Sequence, residues 1–113
     1  MVRIYHNPRC RKSRAGLDFL NQNGSDPEVV DYMNNPPSEK DLEKLLIKLG
    51  KKPHDIVRTQ EELYRKDYKG KNLSDTEWLK VLVQNPRLIR RPIVETDNKA
   101  VIGDPVENIK EIL

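Results

Sequence analysis

Val2-Arg3-Ile4-Tyr5-His6-Asn7-Pro8-Arg9-Cys10-Arg11-Lys12-Ser13-Arg14 is the stretch on which the fold turns. Val2 to Tyr5 is a short β-prone run, and His6-Asn7-Pro8 is turn chemistry that ends it. From Arg11 the pattern becomes helical, with Ala15, Leu17, Phe19 and Leu20 as its apolar positions and Asn23-Gly24 as a C-cap. Pro27-Glu28-Val29-Val30-Asp31-Tyr32 reads as a second strand. Strand, helix and strand in this order predict a βαβ unit with parallel strands. Cys10, the chain's single cysteine, falls where the first strand hands over to the helix.

Beyond this unit, Asn34-Asn35-Pro36-Pro37 is a hard break. Ser38 begins a capping box with Asp41, an acidic variant of the usual Glu/Gln partner. Leu42, Leu45, Leu46 and Leu49 give the helix that follows one apolar face, and Gly50 ends it. The charged residues 53–72 predict one or two short helices. Ser74 with Glu77 starts another helix, buried through Trp78, Leu79, Leu82 and Val83 and stopped by Asn85-Pro86. Residues 92–96 and 99–102, joined through Asp97-Asn98, predict a β-hairpin. Pro105 suits the first turn of a last helix carrying Ile109, Ile112 and Leu113. The expected fold class is therefore α/β, in the order βαβ, helices, ββα, with a helical insert at about 38–86. Pro92 follows Arg90-Arg91 and lacks a ladder donor, which places it at a strand start, at an edge or in a cis turn.

A length of 113 residues fits one compact domain with one core, and a monomer is expected. Charged and hydrophobic residues each make up 35%, so the apolar residues must be placed efficiently, and a net charge of +3 does not by itself argue for nucleic acid, where a basic stripe on one face is expected. No apolar run approaches membrane-spanning length, and Met1-Val2-Arg3-Ile4-Tyr5-His6 has no apolar segment of a secretory signal. One cysteine rules out an internal disulfide, and the simplest compartment is the reducing cytoplasm. One Cys and two His at these spacings carry no metal signature, and no bound cofactor is expected.

The chemistry concentrates at Cys10. Helix N-termini present unpaired N–H groups and the positive end of the helix dipole, so they bind anions and lower a thiol pKa. Arg9, Arg11, Lys12 and Arg14 are sequence neighbours of Cys10, and Arg14 lies about one helical turn on. Such a loop suits a thiolate and a small oxyanion beside it, a combination fit for attack of sulfur on arsenate or a similar group. The competing reading is an inert core cysteine with the arginines on a solvated face; the strand–turn–Cys–helix context favours the reactive one. A phosphate cradle of the P-loop kind is disfavoured because the stretch lacks glycine. His6 either orients the loop near the thiol or is structural. Asn7 is expected to fix the turn through side-chain to backbone bonds. Ser13 either donates to the thiolate or faces solvent, and His54 has no assigned role.

These residues support a family. The stretch from His6 to Arg14 resembles the catalytic loop of the arsenate reductase (ArsC) family, glutaredoxin-dependent branch. Tyr32-Met33-Asn34-Asn35-Pro36-Pro37-Ser38, Asp55-Ile56-Val57-Arg58, Asn85-Pro86-Arg87-Leu88-Ile89-Arg90-Arg91-Pro92-Ile93-Val94 and Val101-Ile102-Gly103 through Glu107 resemble further family blocks, so the likeness spans essentially the whole chain. It implies a thioredoxin-like fold with a helical insertion. It implies that Cys10 forms a thiol–arsenate adduct, which glutathione and glutaredoxin resolve to arsenite. A chain without a resolving cysteine needs an external thiol in any case. The family's anion-binding arginines fall on Arg58 and Arg91, joined by Arg14 of the loop, and Pro92 resembles the cis-proline beside the active cysteine of thioredoxin-like folds. One position departs: the family's third arginine falls on Asp104, a carboxylate that repels an oxyanion or pairs with Arg58 or Arg91. Two other functions fit the same resemblance. One is a regulatory protein of the Spx type that binds RNA polymerase, although Ser13 stands where a Cys-x-x-Cys switch needs its second cysteine. The other is a glutathione-linked thiol transferase acting through a mixed disulfide at Cys10.

Overall fold

The computed structural model describes residues 1–113, which form two compact units, residues 1–35 with 91–113 and residues 36–90. The first unit holds a four-stranded sheet. Its strands are β1 (Arg3–His6), β2 (Glu28–Asp31), β3 (Ile93–Glu95) and β4 (Ala100–Ile102), with helix α1 (Arg11–Gln22) between β1 and β2. The order is β2-β1-β3-β4; β1 and β2 run parallel, as a βαβ connection requires, and β1/β3 and β3/β4 are antiparallel. Ile4 lies opposite Val29 on one side and Val94 on the other.

Alternation along β1 sends Ile4 and His6 to one face and Arg3 and Tyr5 to the other. On the first face Ile4, Leu20, Val94 and Ile109 form a fully buried cluster, flanked by Val2, Leu17, Phe19, Val101 and Ile112. Each such burial stabilises by about 1.5–3 kcal/mol. On the second face Tyr5 Oη donates to Glu95 Oε1 (2.8 Å), Arg3 Nη1 donates to the same oxygen (3.2 Å), and Arg3 Nε and Nη2 donate to Glu28 Oε2 (3.2 and 3.1 Å). Burial, with the Glu95 hydrogen bond adding to it, pushes the Tyr5 phenol up to about 12. Tyr5 therefore stays a protonated donor at neutral pH.

Two local expectations change. Helix α1 buries Ser13, Gly16 and Leu20, while Ala15 is exposed: the face spaced i, i+3, i+7 from Ser13 meets the core. Pro105 does not enter a first α-helical turn. Its extended ψ of 158° makes it the residue before a 3-10 segment, Val106–Ile112, which buries Ile109.

The second unit is helical: α2 (Glu39–Leu49), α3 (Glu62–Asp67) and α4 (Asp75–Gln84), with 3-10 turns at Pro53–Ile56 and Pro86–Leu88. Ser38 Oγ accepts the Asp41 N–H at 3.1 Å, and Gly50, at φ 66°, closes α2 in the left-handed region. At α4 the capping box is reciprocal: Ser74 Oγ accepts from Glu77 N–H and the Glu77 carboxylate accepts from Ser74 N–H. Helices α2 and α4 pack through Leu42, Leu45, Leu46, Trp78, Leu79 and Leu82. Val57 bridges Ile89 in antiparallel fashion, with Arg58 N–H on Leu88 O (2.7 Å) and Arg90 N–H on Ile56 O (2.8 Å). The short helix α3 buries no residue completely; Tyr64 and Tyr68 lay it on Trp78, with centroid separations of 6.3 and 5.7 Å. No helix is long and apolar enough to cross a membrane.

Candidate active site

Cys10 is the N-cap of α1. Its backbone is extended (φ −97°, ψ 123°), its carbonyl accepts the Arg14 N–H at 3.0 Å, and its own N–H donates to Asn7 O at 3.0 Å. Its side chain makes no capping hydrogen bond, so the half-buried thiol stands beside the first turn of α1 uncommitted. The amides of Arg11, Lys12 and Ser13 have no intrahelical acceptor, and the dipole end there is positive. A negative sulfur or a small oxyanion is stabilised at that end for the same reason.

The loop that carries Cys10 is tied at four points. Asn7 Oδ1 accepts the Arg9 N–H (3.0 Å), a side chain closing its own turn two residues on. Arg14 Nη1 donates to Pro8 O at 2.9 Å, which straps the loop to the helix. Ser13 is 0% exposed; its Oγ accepts the Asn7 N–H at 2.9 Å and lies 2.6 Å from His6 Nδ1. Ser13 Oγ has only these two partners, so its buried hydroxyl proton finds an acceptor when His6 carries its own proton on Nε2, the tautomer that leaves Nδ1 free to accept. Burial lowers the His6 pKa from its ordinary value, against the opposing pulls of Ser13 and Asp31, and the nearby Arg14 charge lowers it further. The imidazole is thus neutral at neutral pH, as that hydrogen bond requires.

The Arg91–Pro92 peptide is cis, and both residues are buried. Pro92 packs closely on two glycines: a Cβ on Gly16 would stand 2.7 Å from Pro92 Cγ, too close without a shift, and one on Gly103 a tight 3.1 Å from the same atom. Gly103 N–H also donates to Pro92 O at 2.8 Å. The next residue, Asp104, precedes a second cis peptide, and its carboxylate meets Lys12 Nζ at 3.0 Å. The sequence leaves Asp104 either repelling an oxyanion or pairing with Arg58 or Arg91. The structure supplies a lysine from α1, whose long flexible stem reaches a partly exposed carboxylate.

A model of the ArsC family matches residues 5–112. The chain belongs to the ArsC family. The uncharacterized Escherichia coli (strain K12) protein YfgD is 42% identical to it, with 99% of this chain and 96% of that protein covered. The arsenate reductase of Neisseria meningitidis serogroup A is 38% identical, covering 99% and 97%. Among solved structures, the arsenate reductase from Vibrio cholerae superposes with a TM-score of 0.94 at 39% identity, covering 99% and 97%. The fold is accordingly thioredoxin-like, as the resemblance implied and the order of elements agrees.

Of the residues singled out in the sequence, His6, Asn7, Cys10, Ser13 and Arg14 are linked by the hydrogen bonds above, and Arg91 and Pro92 belong to the same unit of this ArsC chain. Arg58 belongs to the helical unit. It follows Val57 of the antiparallel bridge, and its Nη1 donates to Glu61 Oε2 at 2.9 Å. Three features escaped the sequence reading. Gly16 had a signal, a glycine inside a helical pattern, which costs about 1 kcal/mol against Ala and so marks a packing demand. The Lys12–Asp104 pair spans 92 residues and has no local signal. Glu61 is three residues from Arg58, a spacing visible in the sequence but hidden among many charges.

Proposed function

We propose that this ArsC-family protein is an arsenate reductase in which Cys10 is the nucleophile and an external thiol is the reductant. The observation that carries the proposal is the placement of Cys10. Its thiol is half-buried and free of capping bonds at the N-terminus of α1, on a loop fixed through Asn7, Ser13 and Arg14. The names of the relatives agree with it.

The steps balance as follows. The Cys10 thiolate attacks arsenic, forming an S–As bond, and one arsenate oxygen leaves as water after protonation. Glutathione then supplies the second thiol. The two sulfurs end as a mixed disulfide on Cys10, two electrons pass to arsenic, and arsenite is released. Glutaredoxin with further glutathione restores the Cys10 thiol. Arg14, Arg58 and Arg91 are the proposed oxyanion ligands. His6, Asn7 and Ser13 hold the loop, and Pro92 shapes the surface beside it. No bound cofactor, metal, nucleic acid or membrane enters this scheme, and the proposed location is cytoplasmic.

A second reading is favoured by the Lys12–Asp104 pair, in which a carboxylate stands where the resemblance implies a third family arginine. In that reading Cys10 exchanges with glutathione disulfides and arsenate is not the substrate. Arsenate-dependent NADPH consumption, coupled through glutathione reductase, glutathione and glutaredoxin, decides between the two. Turnover that needs arsenate and is lost in Cys10→Ser is the expected result. No arsenate dependence in folded wild-type protein, with Cys10-dependent reduction of a glutathione mixed disulfide, overturns the reductase reading.

A further inference from the structure

We propose that Glu61 is a positioning residue that sets the guanidinium of Arg58 for oxyanion binding; this rests on the reading of Arg58 as an oxyanion ligand. The backbone at Arg58 is held on both sides. Its N–H donates to Leu88 O at 2.7 Å, next to the Val57–Ile89 bridge, and its carbonyl accepts the Glu61 N–H at 3.2 Å. A long side chain on a fixed backbone still has several rotamers to lose. Glu61 removes that freedom: its Oε2 accepts from Arg58 Nη1 at 2.9 Å, and the two side chains are only 21% and 24% exposed, so the bond is sheltered from full solvent screening.

The geometry leaves work for the arginine to do. Only Nη1 is engaged, and Nε and Nη2 make no hydrogen bond within the protein. A guanidinium has five donors in a rigid fork, so one nitrogen can be anchored while the others meet a planar or tetrahedral oxyanion. Glu61 is itself held. It is the N-cap residue of α3, its other oxygen lies 4.0 Å from Arg87 Nε, and α3 is seated through Tyr64 and Tyr68 on the buried Trp78. The backbone of Glu61 is thus anchored, and from it the carboxylate, bonded to Nη1, aims Arg58. The cost is partial neutralisation of the arginine's charge. The preorganised fork outweighs it because a flexible arginine must be ordered anew by each ligand.

The test is a double-mutant cycle on inorganic arsenate binding, followed by titration calorimetry, in wild type, Glu61→Ala, Arg58→Ala and the double variant, with Glu61→Gln alongside. The expected result is about a tenfold weaker arsenate affinity in Glu61→Ala and no further loss from Glu61→Ala in the Arg58→Ala background. Glu61→Gln keeps an oxygen acceptor and is expected to bind within about threefold of wild type. Binding that is unchanged or tighter in Glu61→Ala overturns the proposal, as do equal losses in both backgrounds or a loss in Glu61→Gln as large as in Glu61→Ala. If Glu61→Ala does not fold, as judged by circular dichroism, Glu61→Ser, whose short side chain cannot reach Nη1, takes its place in both backgrounds with the same outcomes. Arsenate binding that is indifferent to Arg58→Ala refutes the ligand reading of Arg58, a different outcome from a Glu61 arm that fails while Arg58 matters.

Discussion

Replacing Ser13 by alanine isolates the tie between the Cys10 loop and α1. The hydroxyl is fully buried, accepts from Asn7 N–H at 2.9 Å and donates to His6 Nδ1 across 2.6 Å. Truncation leaves one backbone donor and one imidazole acceptor without a partner, and His6 is only 7% exposed, so water cannot freely replace the hydroxyl. An unsatisfied buried group costs about 1–3 kcal/mol. Against this stands the better helix propensity of alanine, about 0.5 kcal/mol, and the small size of the cavity an oxygen leaves. Asn7 N–H is only partly buried and recovers some of its loss from solvent. The net expectation is about 2 kcal/mol of destabilisation. For a chain of 113 residues the unfolding entropy makes 1 kcal/mol worth about 4 °C in Tm, so Tm falls by about 8 °C. Thermal melts followed by far-UV circular dichroism at pH 7.5, with urea melts for the free energy, measure it. A Tm within about 2 °C of wild type refutes the reasoning: the hydroxyl would then not be what satisfies these two groups, and the His6 tautomer assigned from it would fall too.

The pH dependence of stability follows from the same imidazole. Its folded pKa lies below the ordinary 6.5, so the unfolded chain binds the proton more readily and stability is lost as pH falls from about 6.5 toward the folded value. Melts from pH 7.5 to 5 on wild type and on His6→Asn, which keeps an acceptor near Nδ1, are expected to show a shallower decline in the variant; parallel curves sink the assignment of the decline to His6. Asp104→Arg exchanges a carboxylate paired to Lys12 for a further cation beside the start of α1. A two-unit charge change near the surface is worth on the order of 1 kcal/mol, so arsenate KM is expected to fall by about fivefold, and an unchanged KM would place Asp104 outside the field of the oxyanion.

How much of this was legible in the sequence depends on the range of the interaction. Helix starts are short-range, and they were readable: Ser38 caps through Asp41, and Ser74 and Glu77 satisfy each other's backbone donors. The βαβ unit was readable too, because Ile4 and Val29 lie in runs whose composition is β-prone and whose separation allows one helix between them. The apolar positions of α1 do not mark its whole buried face. Its apolar residues include the exposed Ala15, while the buried positions include Ser13 and Gly16, a polar residue and one without a side chain. Their burial has a tertiary cause. Ser13 is inside because His6 and Asn7 need its oxygen, and Gly16 is inside because Pro92 occupies the space of a Cβ.

The site shows the same division more sharply. Cys10 at a helix N-terminus is a local arrangement, and the run from His6 to Arg14 carries it whole: the Asn7 turn, the Arg14 strap and the Ser13 hydroxyl all act within seven residues. Charge is different, because a carboxylate's effect depends on the cation it meets. Asp104 read as a group repelling the oxyanion or occupying Arg58 or Arg91, yet its carboxylate lies on Lys12, one of the four cations counted beside Cys10. That contact changes the electrostatics twice, screening Asp104 and withdrawing one of the four from the thiol's surroundings. The positive field at the start of α1 is therefore smaller than the local count of arginines and lysines suggests, and the backbone amides of Arg11, Lys12 and Ser13 carry a correspondingly larger share of any anion binding there.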